Sequence, residues 1–151
     1  MLSKKLEESL HKALSIAMEL RHEYATLEHL LLALTEDEDA QRVLYGCNVK
    51  IDRLKNNIEK FLKNDMSALV NNNIIEIRPT SVFERVIHRA VIHAHSSGKQ
   101  EVNGANVLAE IFSERDSYSV CFLHEQNITC MDIMNFISNS YWILLKSLNC
   151  I

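Results

Sequence analysis

Slid along itself by 77 residues, this chain meets its own pattern. Leu6 falls on Phe83, Glu7 on Glu84, Leu10 on Ile87 and His11 on His88. Lys12 falls on Arg89, Ala13 on Ala90, Leu14 on Val91 and Ala17 on Ala94. Without a gap, Leu30, Leu31 and Leu34 then meet Val107, Leu108 and Ile111. With two further residues of offset, Asn48-Val49 meets Asn127-Ile128, and Leu54 and Ile58 meet Ile133 and Ile137. Any two amphipathic helices share apolar matches. Polar identities held in register through four successive helical patterns are far harder to reach by chance. The inference is a duplicated four-helix unit packed against its copy. The fold expected is all-α: about eight helices in two pseudo-twofold-related four-helix repeats, with no sheet.

The local signals agree. Leu6, Leu10, Ala13, Leu14, Ala17 and Met18 form one apolar stripe at helical spacing, and Ser3 stands where an N-cap belongs. Thr26 caps a second helix faced with Leu27, Leu30, Leu31 and Leu34, and Glu28 sits in its first turn near the positive end of the dipole. A third runs from about Asp37 to Leu44, and a fourth carries Ile51, Leu54, Ile58, Phe61 and Leu62. Three consecutive asparagines and the single proline, Pro79, then break the pattern. In the second half, Ser81 and Glu84 have capping-box spacing, with Thr80 as the competing cap. Gly98 ends that helix, Asn103 caps the sixth, Ser117 starts the seventh and Thr129 the eighth. The division expected is a first repeat over 1–63, a linker over 64–79 with Ile74, Ile75 and Ile77 tucked against the surface, a second repeat over 80–139, and an apolar tail over 140–151. That tail, with Tyr141, Trp142, Ile143, Leu144, Leu145 and Leu148, is expected to find an apolar partner in a second chain or on the domain itself.

Composition narrows the function. Hydrophobic residues make up 47% and charged residues 24%, so the chain can bury a core and stay soluble. Only 3 glycines are present, too few for the tight turns of a strand-rich fold. A formal charge of −4 and the lack of a basic stripe argue against nucleic acid. No run of about 18 apolar residues exists to cross a membrane, and no targeting segment is visible. Cys47, Cys121, Cys130 and Cys150 are widely spaced, which suits reduced thiols in a helical core and a cytoplasmic setting.

The search for catalytic motifs finds no phosphate-cradling loop, no nucleophile elbow and no H-E-x-x-H. His22-Glu23 opens that last pattern, but Thr26 stands where its second histidine belongs. His88 and His95 lie on one face of a helix and His93 about 160° from the first, so the three do not converge. The histidines are expected as surface or half-buried imidazoles bonded to backbone or carboxylates. The acidic run Glu36-Asp37-Glu38-Asp39 is expected as a solvated helix start. No cofactor and no metal are implied.

The stretch R21-H-E-Y-A-T-L-E-H-L-L-L-A-L34 resembles the first-repeat signature of the Clp ATPase N-terminal domain, T-x-E-H-L-L-L-A-L. In the second half P79-T…F83-x-R-V…R89-A-V, S96-S-G-K-Q-E-V-N-G-A-N-V-L108 and N135-F-I-S138 look like the ClpA branch of that family. The match covers about residues 1–139. It implies a non-catalytic adaptor- and substrate-recognition domain that binds a ClpS-like adaptor. In the full-length family that domain precedes two ATPase modules, which form a hexamer and feed the ClpP protease. The resemblance places adaptor contacts at Glu23, Glu28, Thr80 and Arg85. Taken as residues alone, Glu28 is a dipole partner, Thr80 a cap and Arg85 a surface charge. The sequence departs from the family after Ser138, where an apolar tail stands in place of the polar linker the resemblance implies. A different class of function, a small metal-dependent hydrolase using His22 and Glu23, is the alternative.

Overall fold

The structure, a computed structural model, describes residues 1–66, 70–73 and 76–138. Among the described residues eight α-helices carry the fold: α1 Lys4–Glu19, α2 Leu27–Leu34, α3 Glu38–Gly46, α4 Ile51–Lys60, α5 Ser81–Ser96, α6 Gly104–Ile111, α7 Tyr118–Glu125 and α8 Cys130–Ser138. A five-residue π-helical turn, Phe61–Asp65, extends α4 and drives Phe61 and Leu62 into the core. The bounds of α1 and α5, and those of α2 and α6, differ by the 77 residues of the repeat offset.

The caps explain the boundaries. Ser3 accepts from the Leu6 amide at 3.1 Å and Asn103 from the Asn106 amide at 3.1 Å. Thr129 and Asp132 close a reciprocal capping box ahead of α8. Asp37 is the N-cap of α3, with Oδ1 accepting from the Ala40 amide at 3.0 Å, so the helix itself begins at Glu38. At α5 the competing cap wins: Thr80 accepts from the Phe83 amide at 3.2 Å, and Ser81 is already helical.

Left-handed backbone also recurs at the repeat spacing. Asn48 and Asn127 have φ of 62° and 59°, a region asparagine tolerates. Arg21 at 58° matches Gly98 at 77°. An arginine there costs about 1 kcal/mol. Its carbonyl accepts from the Asn71 amide at 2.8 Å and its guanidinium donates to Asn72 Oδ1 at 2.9 Å, which anchors residues 71–72.

The expectation of no sheet needs correction. Two short strands, β1 Tyr24–Ala25 and β2 Arg78–Pro79, pair in parallel, Tyr24 with Arg78 and Ala25 with Pro79. A parallel bridge joins Leu2 to Val102. These are the same interaction seen twice, because Leu2 and Pro79, and Ala25 and Val102, are repeat equivalents. The Thr80 amide donates to Ala25 O at 3.0 Å, and the Ser3 amide to Val102 O at 2.8 Å. Each half therefore lends the strand before its first helix to the other half. The principal helix contacts between halves are reciprocal too: α3 meets α6 as α7 meets α2, and α3 meets α8 as α7 meets α4. This exchange is the signature of a pseudo-twofold pair.

The paired helices α2 and α6 lie at the centre. Every residue of α2 is buried, and six of the eight in α6. Leu30, Leu31, Leu34, Leu108 and Ile111 are fully buried, each stabilising the fold by roughly 1.5–3 kcal/mol. Of the linker, Val70 bridges His22, Asn71 and Asn72 are anchored to Arg21, and Arg78–Pro79 form β2. Ile77 is half-buried, while Ile74 and Ile75 lie outside the described residues, as does the 140–151 tail. Cys47 and Cys130 are half-buried, but Cys121 is exposed, not in the core.

Candidate functional site

The β1–β2 pairing gathers residues from both halves onto one rim. The Arg78 amide donates to Glu23 O at 3.1 Å and the Thr80 amide to Ala25 O, so Glu23–Ala25 runs beside Arg78–Thr80. The Glu23 and Tyr24 side chains are exposed on this rim, as is Arg78. Tyr24, 49% exposed, offers an apolar ring with a polar tip. Nothing in its local sequence singles out Tyr24 or Arg78, because only the pairing sets them next to Glu23 and Thr80.

Thr80 is half-buried at the cap of α5. Arg85 follows in the second turn, exposed, with Nη2 and Nε donating to the two Glu114 oxygens at 2.6 and 3.0 Å. Arg89 reaches Glu114 Oε2 at 2.9 Å. The hydrogen bond from Arg85, helped by that from Arg89, holds the Glu114 carboxyl below the usual carboxylate range. Arg85 thus presents a guanidinium fixed in direction, where a solvated charge was the plain alternative.

Glu28 stands apart from the rim. It is 8% exposed, and its Oε2 accepts from Ser119 Oγ at 2.8 Å and from the Ser119 amide at 3.2 Å. It is a strut from α2 to α7, between the halves. Glu28→Ala is expected to lower stability by about 2 kcal/mol, because it leaves the buried Ser119 donors without an acceptor. Urea unfolding measures this, and a loss near zero would show that Ser119 finds another partner. The structure therefore sets Glu23 close to Thr80, leaves Arg85 in the second turn of α5 paired to Glu114, and withdraws Glu28 beneath the surface.

The expected surface or half-buried imidazoles describe His11, His88, His95 and His124, which are exposed, and His93, which pairs with Glu110. His22 and His29 contradict it: they are 2% and 0% exposed and bonded to each other, His22 Nδ1 to His29 Nε2 at 2.9 Å. The Thr26 amide donates to His29 Nδ1 at 2.9 Å, so that nitrogen carries no proton. His29 Nε2–H must then donate to His22 Nδ1, leaving His22 Nε2–H for the backbone of Met66. Both rings are neutral. Burial and the neighbouring His22 push His29 down to about 4, and burial lowers His22. The hydrolase alternative finds no free metal ligand in His22, which is buried with both ring nitrogens engaged, while Glu23 faces solvent. Among the described residues, no group of three or more His, Cys, Asp or Glu side chains is placed to hold a metal ion.

A groove of about 530 Å³ runs between α1, α2 and α4, floored by Ile16, Leu20 and Leu32. Its rim carries both signs of charge, with Lys12 and Lys55 both paired to Glu36. The acidic run is thus a set of partners: Glu36 is clamped by lysines, Glu38 meets Lys5 at 2.7 Å, and Asp37 is 4% exposed.

The family model described as the Clp repeat (R) N-terminal domain matches residues 1–126. The chain is similar to the ClpA homolog protein of Fuscovulum blasticum, with 49% identity over 138 residues, covering 91% of this chain and 17% of that protein. In structure it is similar to the Hsp104 N-terminal domain from Candida albicans, with TM-score 0.73 and 13% identity over 87% of this chain and 85% of that one. It is also similar to the ClpV N-domain in complex with a VipB peptide, with TM-score 0.71 and 18% identity over 91% and 84% of the two chains. The two solved structures speak for the fold alone, and the chain spans only a small part of the curated relative.

Proposed function

The chain belongs to the Clp repeat N-terminal domain family, and from that premise we propose that it is the adaptor- and substrate-recognition domain of a ClpA-like unfoldase. A Clp N-terminal domain is non-catalytic, and its work is binding. The partner proposed is a ClpS-like adaptor, which delivers protein substrates to ATPase modules that hexamerise and serve the ClpP protease in the bacterial cytoplasm. The observation that carries this reading is the β1–β2 pairing, which sets Glu23 and Tyr24 of one half beside Arg78 and Thr80 of the other on an exposed rim. Such a rim offers both charges, a backbone cap and an aromatic anchor within one small area, the mixture that specific interfaces use. The peptide held by the ClpV N-domain supports binding as the general role of this fold. Among the described residues no helix is long and apolar enough to cross a membrane.

Calorimetric titration with the ClpS adaptor of the same organism tests the proposal. The variant pair is Glu23→Lys with Arg85→Ala, both exposed, so that folding is spared. Affinity is expected to fall about tenfold or more, as for rim charges acting together with their neighbours. Glu28→Ala is unsuitable as a surface probe, because it also removes the Ser119 strut. Binding of unchanged strength in the double variant would remove these residues from the site. No binding by the unaltered chain would overturn the adaptor role.

A further inference from the structure

The duplication gives this chain two rims of one backbone design that carry different chemistry. We infer that Glu8 and Glu101 are specificity determinants, which bar the adaptor from the second rim and make its binding one-sided. The inference rests on the adaptor reading above, since it says which of two equivalent faces that partner takes.

The frame is shared. The Thr80 amide donates to Ala25 O at 3.0 Å on the first rim, and the Ser3 amide to Val102 O at 2.8 Å on the second. Thr80 caps α5 through the Phe83 amide at 3.2 Å, and Ser3 caps α1 through the Leu6 amide at 3.1 Å. The two helices begin at equivalent residues, Lys4 and Ser81. A partner that read only backbone and caps would find two places to bind.

The side chains differ. At the 77-residue offset Glu23 becomes Gln100, Tyr24 becomes Glu101 and Arg85 becomes Glu8. Gln100, Glu101 and Glu8 are exposed, as their counterparts are. A carboxylate thus stands in place of the aromatic ring, and another in place of the guanidinium. The supporting groups differ as well. Glu114 holds Arg85 in direction through bonds of 2.6 and 3.0 Å. Its counterpart Asp37 is 4% exposed and engaged by Ser9 Oγ and the Ala40 amide, so it orients nothing on the second rim. Lys4 and Lys5 stand where the other half has Ser81 and Val82, and Lys5 is bonded to Glu38 at 2.7 Å. Neither lysine takes the place of Arg85.

A partner surface that complements Arg85 and Tyr24 presents an acidic group to the one and an apolar pocket to the other. On the second rim both would face carboxylates. Like charges set against each other cost affinity, and the aromatic anchor that contributes strongly to interfaces is missing. Discrimination between the two rims then comes from repulsion at one as much as from attraction at the other.

Titration of the full chain with the ClpS adaptor of the same organism, followed by calorimetry and by amide NMR, tests this. One adaptor per chain is expected, with the Ala25 and Thr80 amide signals shifting and those of Val102 and Ser3 holding still. Glu8→Arg with Glu101→Tyr is expected to open a second site, about tenfold weaker than the first, that moves the Val102 and Ser3 signals. Two adaptors on the unaltered chain, shifts at Val102 and Ser3 before any substitution, or a double variant that still takes a single adaptor would each overturn the inference and leave the adaptor reading standing. Absence of any binding by the unaltered chain would instead overturn that reading, and this inference with it. Should the double variant not fold, Glu8→Arg alone, expected to move the Val102 and Ser3 signals at high adaptor concentration, decides in its place.

Discussion

Replacing Gly104 by alanine is expected to destabilise this domain by about 3 kcal/mol, although alanine is the better helix former by about 1 kcal/mol. Gly104 is the first residue of α6, and α6 begins against the N-cap of α3 in the other half. A Cβ there would sit 2.5 Å from Asp37 Cγ, well inside van der Waals contact with the carboxylate. Asp37 cannot give way freely. Its Oδ1 caps the Ala40 amide, and its Oδ2 accepts from Ser9 Oγ at 2.7 Å, in a site almost closed to water. Moving the carboxylate loses the cap and the α1–α3 tie together, so the clash outweighs the propensity gain. Urea unfolding of Gly104→Ala measures the balance. A gain in stability would mean that the halves can part at this contact without loss. Gly98→Ala is the comparison: it meets no neighbour, and only its φ of 77° opposes the change, at about 1 kcal/mol.

Acidification is expected to remove about 3 kcal/mol of global stability between pH 6.5 and pH 4, through His29. The sign follows from the direction of the shift. The folded state holds His29 down to about 4, against 6.5 for a free histidine, so the unfolded chain binds the proton more tightly. The contribution is complete above pH 6.5, falls as pH drops through that value, and is gone once pH passes below the folded value. A gap of roughly 2.5 pH units corresponds to about 3 kcal/mol. The paired carboxylates act elsewhere on the scale. Hydrogen bonds from Lys12 to Glu36 and from Arg85 to Glu114 hold those groups below 4.5, so their contributions fade only in stronger acid. Urea unfolding at pH 7.5 and pH 5 therefore isolates the histidine, and the expected difference shrinks in His29→Asn. Stability that is flat between these two values would contradict the neutral pair.

The sequence alone determined the elements and their repetition. Leu30, Leu31, Leu34 and their counterparts Val107, Leu108 and Ile111 carry the 3.6-residue pattern that fixes helix and buried face. Ser3, Asn103 and Ser117 mark starts because a cap bond reaches only three residues along the chain. Gly98 marks an end because glycine accepts positive φ without strain. All of these are local interactions, so each can be read from a short window, and the 77-residue offset then shows that the windows recur. The T-x-E-H-L-L-L-A-L signature identified the family for the same reason. Tertiary structure alone decided the rest. The exchange of Leu2 and Pro79 between halves joins residues about fifty to a hundred positions apart, and strands two residues long leave no periodicity to detect. Glu28 looks like a surface carboxylate at a helix start until α7 brings Ser119 against it. His22 and His29 look like ordinary polar residues until the turn after α1 folds one ring onto the other and excludes water. The desolvation that keeps them neutral, and that sets how this chain answers acid, comes from the packing of elements distant in sequence, and so has no local sequence trace.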